Sequence, residues 1–374
     1  MRRVFDWLGP ERRREVLFAM GLLALGLPAA AGGEALLRLL RLREEAAAPA
    51  DWGEMWATLF YADEAGFVRF IPGARSGNIV VNSLGLPGPE VTVPKPPGTL
   101  RVAFLGDSIT LAASLPQDRT PSAVIADAVA AAFPDCRVDY VTVAGPDFHY
   151  DSLARHLAEL DPGVRPDAYV LLPGSVEEAL KRFEADVGAD PPYLLRPGRL
   201  ARWSLLWLSV ARAQPAPGPL LDRIDLDLLA GFDGGLIDSL AGFIGDAPTV
   251  AVIPRNRSRQ GMPELELSDI NRRLLSQTGG GLTLEGLAQL ETTLTRSLAD
   301  ASEEHGWRLL DALAEVPPDF VHYEDEVHLT EAGVARLAAA VSGALIEEIA
   351  ADPPGCAARP QAARSTGAVQ SDTR

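Results

Sequence analysis

Two features of this sequence could do chemistry together. One is a serine at the end of an apolar run; the other is a histidine three residues behind an aspartate. The run Arg101-Val-Ala-Phe-Leu-Gly106 leads straight into Asp107-Ser108. A serine there sits at the C-terminal edge of a strand, where parallel sheets build their sites. Gly106 lets the backbone turn tightly after the strand. A helical turn beginning at this point aims its free N–H groups at whatever Ser108 attacks. Serine becomes a nucleophile only when a base takes its proton; capping the next helix is its alternative role. Position 110 is Thr, so the Gly-x-Ser-x-Gly elbow is absent.

The base must come from a short list, because the chain has five histidines. Two of them follow an aspartate at a spacing of three: Asp319–His322 and Asp325–His328. An aspartate so placed can turn back and accept a hydrogen bond from the imidazole, fixing its tautomer. His328 runs on through Leu329-Thr330-Glu331-Ala332-Gly333, where Thr330 is a candidate N-cap for a final helix. The second pair is therefore the expected one, and Asp319–His322 is read as a solvated loop pair. His149, His156 and His305 have no aspartate at that spacing. His156 and His305 fall in helical stretches and are read as surface residues.

These residues need a scaffold, and the sequence supplies a repeated rhythm of strand then helix. Arg101–Leu105, Arg137–Val143, Ala168–Leu172, Thr249–Ile253 and Arg308–Leu310 read as short buried strands. Helical stretches are expected at 121–133, 150–160, 176–187, 283–305 and 331–350. Alternation of this kind predicts a parallel sheet of about five strands with helices on both faces, doubly wound and flavodoxin-like. The interval from Gly174 to Pro248 is long for one crossover, and Leu205-Leu-Trp-Leu208 marks an apolar helix within it. Ahead of the first strand, Phe67–Phe70 and Ile79–Val81 read as strands around a Pro72-Gly73 turn, followed by a stiff link at Pro94, Pro96 and Pro97.

Composition bounds the setting. The 374 residues carry a net charge of −17, with 47% hydrophobic and 23% charged. That hydrophobicity excludes a disordered chain, and the acidity argues against nucleic acid as a partner. The first 50 residues hold eight arginines against six acidic residues, leaving +2 there and −19 in the remainder. Behind Arg12, Arg13 and Arg14 comes an uncharged run from Val16 to Gly33. It reads as a single membrane-spanning anchor with the N-terminus cytoplasmic and the main domain exported, on the periplasmic or extracellular side of an inner membrane. A signal peptide cleaved near Ala29-Ala30-Ala31 and a buried apolar helix are the alternatives. The expected division is an anchor region over 1–45, a lead-in over 46–97, the main domain over 98–352 and a disordered tail over 353–374. Cys136 and Cys356 are the only cysteines. Export permits a disulfide between them without demanding it, and two unpaired thiols are the expectation.

The combination of Gly106-Asp107-Ser108 after an apolar strand and Asp325-x-x-His328-Leu-Thr-x-x-Gly333 near the end resembles the SGNH/GDSL hydrolase family, over residues 98–350. The lead-in Asn82-Ser-Leu-Gly-Leu-Pro-Gly-Pro-Glu90 resembles its membrane-tethered bacterial members. The resemblance implies a serine esterase with Ser108 as nucleophile, His328 as base and Asp325 as its partner. Val143-Ala144-Gly145 resembles the family's glycine block, so the N–H groups of Ser108 and Gly145 are the implied oxyanion donors. It implies no metal or organic cofactor, and a small-molecule, glycan or lipid ester as substrate. One block departs. Where the family has Gly-x-Asn-Asp, this chain has Gly174-Ser175-Val176-Glu177, so Val176 stands in place of the oxyanion-hole asparagine. Ser175 could donate in its stead or cap the following helix. Three readings follow: an esterase, an acyltransferase or deacetylase of an envelope glycan, and a catalytically weakened envelope binding protein.

Overall fold

The computed structural model describes residues 58–63, 67–146, 148–173, 225–255, 283–325 and 327–351, with Ala179, Phe183, Arg257, Pro353 and Cys356. The apolar run Val16–Gly33, the segment Leu205–Leu208 and the stretch holding Ser175 and Val176 lie outside these residues. Among the described residues no helix is long and apolar enough to cross a membrane.

Five parallel strands form the sheet: β1 (Thr99–Gly106), β2 (Arg137–Ala144), β3 (Ala168–Leu172), β4 (Thr249–Val252) and β5 (Arg308–Leu310), in spatial order β2-β1-β3-β4-β5. This is the expected flavodoxin-like order, with its switch point beside β1. Every residue of β1 is buried, which explains why its sequence is a continuous apolar run rather than an alternation. Its side chains still divide by parity. Leu100, Val102 and Phe104 enter one core with α2 (Pro121–Ala132) and α6 (Glu331–Ala351). Ala103 and Leu105 enter the other, with α3 (Tyr150–Glu159), α4 (Leu226–Ile244) and α5 (Leu284–His305). The result is three layers, helices on sheet on helices.

The lead-in differs in pairing from the expectation. Its strands do not pair with each other across Pro72-Gly73. Phe60–Ala62 pairs with Val68–Phe70, and Arg75–Ser76 pairs with Ile79–Val80, as two separate antiparallel ribbons. The Pro72-Gly73 turn lies between the ribbons, with Gly73 at φ 76.

Helix α4 is the element the sequence hid. It carries Gly231, Gly234, Gly235 and Gly242, and each glycine costs a helix interior about 1 kcal/mol relative to alanine. Packing of Leu229, Ile237 and Leu240 into the core overrides that penalty. A Cβ added at Gly231 or Gly235 meets nothing within 4 Å, and neither glycine has a positive φ. Gly231→Ala and Gly235→Ala are each expected to raise stability by about 0.5–1 kcal/mol, measured by chemical denaturation.

The expectation of unpaired thiols is overturned: Cys136 and Cys356 form a disulfide across a sequence separation of 220. Cys136 sits in the turn between α2 and β2, and Cys356 follows α6, so the bond ties the last helix to the second strand's entry. Apart from Pro353 and Cys356, the expected tail over 353–374 lies outside the described residues. Closing so long a loop restricts the unfolded chain. Cys356→Ser, or a reductant, is expected to lower the unfolding free energy by about 2–4 kcal/mol. A transition that stays put on reduction would show that the bond carries no stability.

Candidate active site

Ser108 opens the short helix α1 (Ser108–Leu111) directly after β1. Asp107 caps that helix, its Oδ1 accepting from the Ile109 N–H at 2.8 Å. Ser108 is therefore spared capping duty. Gly106 is required for a reason different from turning, since it has no positive φ. A Cβ there would lie 2.1 Å from Thr110 Oγ1 and 2.2 Å from the Leu172 carbonyl. That close approach lets Thr110 donate its hydroxyl to Leu172 O at 3.0 Å, clamping α1 onto the end of β3.

His328 reaches the same point from the far end of the chain. A bridge joins Tyr323 to Leu329, and Glu324 N–H donates to His328 O at 2.9 Å. Asp325 Oδ1 accepts from the N–H groups of Val327 (2.9 Å) and His328 (2.8 Å). Asp325 Oδ2 lies 2.6 Å from His328 Nδ1, and His328 Nε2 lies 3.0 Å from Ser108 Oγ. The structure thus brings Ser108, His328 and Asp325 into one chain of hydrogen bonds. The Asp319–His322 turn is built alike, with Asp319 Oδ1 2.7 Å from His322 Nδ1, but its aspartate is half exposed and among the described residues no serine hydrogen-bonds to its imidazole.

The electrostatics fix the protons. Burial favours the neutral carboxyl of Asp325, but the His328 hydrogen bond and charge, with two backbone N–H groups, hold its pKa below the usual 3.8. An ionised Asp325 requires the proton on Nδ1, which leaves Nε2 as the acceptor for the Ser108 hydroxyl. For His328, burial pulls the pKa down; Asp325, then Asp107 and Glu324, outweigh it and raise it above 6.5.

Gly145 follows β2, in register one residue beyond the Gly106–Ala144 pair. Its missing Cβ makes room for Phe148, whose ring would be only 2.7 Å from such an atom. One histidine sits differently from the sequence reading. His156 is half buried, its Nδ1 2.7 Å from Ser152 O and its ring 4.7 Å from that of Phe148. His149 is buried, with Nε2 2.9 Å from Asp233 Oδ1 on α4. No local spacing could have revealed that pair, whose members are 84 residues apart. His305 bonds Asp238 at the surface. Among the described residues no group of three or more His, Cys, Asp and Glu is placed to hold a metal.

No protein-family model and no curated protein sequence matches the chain. Solved structures that resemble it include an α/β hydrolase enzyme from the metagenome of Lake Arreo, Spain, at 16% identity and a TM-score of 0.40, over 66% of this chain and 94% of that one. An acetylxylan esterase from Geobacillus stearothermophilus aligns at 14% identity and 0.39, over 66% and 94%. A member of the lipolytic protein G-D-S-L family from Veillonella parvula aligns at 12% identity and 0.36, over 65% and 96%. At these identities and TM-scores the likeness carries no argument about activity or substrate.

Proposed function

We propose that the protein is an exported serine hydrolase of SGNH/GDSL type that cleaves carboxylic esters. The observation that carries this reading is the 3.0 Å approach of His328 Nε2 to Ser108 Oγ, with Asp325 behind the imidazole. Ser108 Oγ attacks the acyl carbon as Nε2 takes its proton. The carbonyl π electrons move onto oxygen, where the N–H groups of Ser108 and Gly145 receive the charge. The intermediate collapses, the C–O bond to the alcohol breaks, and His328 returns its proton to the leaving oxygen. Water then attacks the acyl-serine with His328 again as base, releasing the acid and restoring Ser108. Asp325 stays ionised throughout and stabilises the imidazolium. The chemistry needs no metal or organic cofactor.

Val176, in the place of a third oxyanion donor, removes a contribution worth about 10²–10³ in rate. A slow enzyme is therefore expected. Export rests on the basic, apolar N-terminus, read as a single membrane anchor, and the Cys136–Cys356 bond supports an oxidising compartment.

The test is fluorophosphonate labelling of the purified protein, beside hydrolysis of short acyl esters. Labelling at Ser108 with hydrolysis supports the esterase; transfer of the acyl group to a glycan hydroxyl in preference to water would make it an acyltransferase. Neither labelling nor turnover in folded protein leaves a binding protein. Val176→Asn is expected to raise turnover. The pH profile gives a further check. The base must be neutral, so kcat/KM should fall on the acid side through an apparent pKa above 6.5. Asp325→Asn removes the largest raising influence, and the acid limb of whatever activity remains should move to lower pH.

A further inference from the structure

One buried pair that the proposed reaction does not use links the start of α3 to α4. His149 Nε2 meets Asp233 Oδ1 at 2.9 Å, and Asp233 is 1% exposed. Asp233 Oδ2 has no partner among the described residues. The pair is costly in three ways. His149 occupies the N-cap of α3 yet makes no capping bond, where Asn, Asp or Ser would contribute about 1 kcal/mol. Asp233 stands in a helix interior, a poor place for aspartate, beside Gly234 and Gly235. The carboxylate also gives up its hydration for one hydrogen bond. Its charge reaches the neighbouring Tyr150, whose pKa rises well above 10 through burial first and Asp233 second.

The location of this tie gives the cost a purpose. His149 directly follows Phe148, and Phe148 is the residue that seats Gly145. The Phe148 N–H donates to Gly145 O at 3.2 Å, and its ring occupies the space of the absent Cβ. On its other side that ring meets His156 at 4.7 Å, on α3 itself. Gly145 lies on a turn that, unlike β2 before it, has no sheet partner to hold it.

We infer that His149 and Asp233 are positioning residues, which fix the Phe148 turn and thereby aim the Gly145 N–H at the developing oxyanion. The inference rests on the reading of Gly145 as an oxyanion donor. It extends that reading to two residues far from the reacting atoms. Both partners are side chains with a directional bond, so the turn is held in orientation, which apolar packing alone does not do. A displacement of about 1 Å in such a donor can cost 10²-fold.

The test uses the double variant His149→Phe/Asp233→Leu in the full chain. Replacing both partners by apolar groups leaves no buried group unpaired, so the fold is retained. The expected result is a fall in kcat of about 10–100-fold with KM within about twofold. Amide hydrogen exchange at Phe148 should quicken at least about tenfold. Asp233→Asn, which still offers a bond to Nε2, should keep most of the rate. A double variant with wild-type kcat and unchanged exchange at Phe148 overturns the inference. Gly145→Ala separates the two levels: it pushes on the Phe148 ring and should itself lower kcat. If Gly145→Ala costs activity and the double variant does not, the oxyanion reading stands and the positioning role falls. If neither costs activity, both fall.

Discussion

Ser108→Ala is expected to reduce ester turnover by at least about 10⁴-fold while leaving the fold unchanged. The substitution removes one oxygen and nothing that holds the chain. Asp107, not Ser108, caps α1, and the clamp onto β3 belongs to Thr110. His328 loses its partner, but the imidazole is partly exposed and water can take the place of the hydroxyl. The stability change should stay under about 1 kcal/mol. The measurement is kcat/KM for a short acyl ester beside a thermal melt. A variant that keeps activity within tenfold removes Ser108 as the nucleophile, whatever its distance from His328.

Arg101→Leu should be the most damaging single change to stability, by about 3–5 kcal/mol. Arg101 opens the apolar run of β1 and yet its side chain is wholly buried. Its Nε and Nη2 grip Asp139 on β2 at 2.7 and 2.8 Å. Nη1 donates to Val164 O at 2.8 Å, and Nη2 to Thr92 O at 3.0 Å. Its backbone N–H donates to Asp167 Oδ2 at 2.7 Å, and Asp167 also pairs with Lys95. One guanidinium thus joins β1, β2, the approach to β3 and the lead-in. Leucine leaves Asp139 mostly buried without its cation and two carbonyls without donors. A loss of this size consumes much of the 5–15 kcal/mol typical of a domain. Arg101→Lys cannot supply the fork and should recover only part. Arg101→Leu/Asp139→Leu removes the stranded charge and should be more stable than the single variant. Denaturant melts of the three variants decide the matter; an Arg101→Leu midpoint equal to wild type would show the clamp to be idle.

The sequence disclosed what is periodic or local. Strands β1, β3 and β4 are legible because strands buried along their whole length read as apolar runs, and all five strands lie within two residues of the expected bounds. The Asp325–His328 turn is legible because both partners sit within four residues of each other. What stayed hidden is tertiary. Helix α4 is masked by its glycines. Arg101 passes for the polar start of a strand, because its partners lie 9, 38 and 63 residues away. His149 lacks any local sign of Asp233. The cysteines gave no hint of pairing, since their proximity depends on α6 folding back beside α2.

That return of α6 has a consequence for how the molecule comes into being. Ser108 stands just beyond the first strand of the sheet and His328 on the loop before α6, 220 residues later. The disulfide spans an interval of equal length, from Cys136 to Cys356. On the proposed mechanism, a chain still being synthesised therefore has Ser108, its glycine turn and most of its sheet long before it has the base. On that mechanism it is inert until the Asp325–His328 loop has arrived and α6 has docked. A product truncated anywhere before the Asp325 loop would be silent however well its sheet had formed. The order of the elements thus acts as a delay, and the covalent bond closes only after the delay has run.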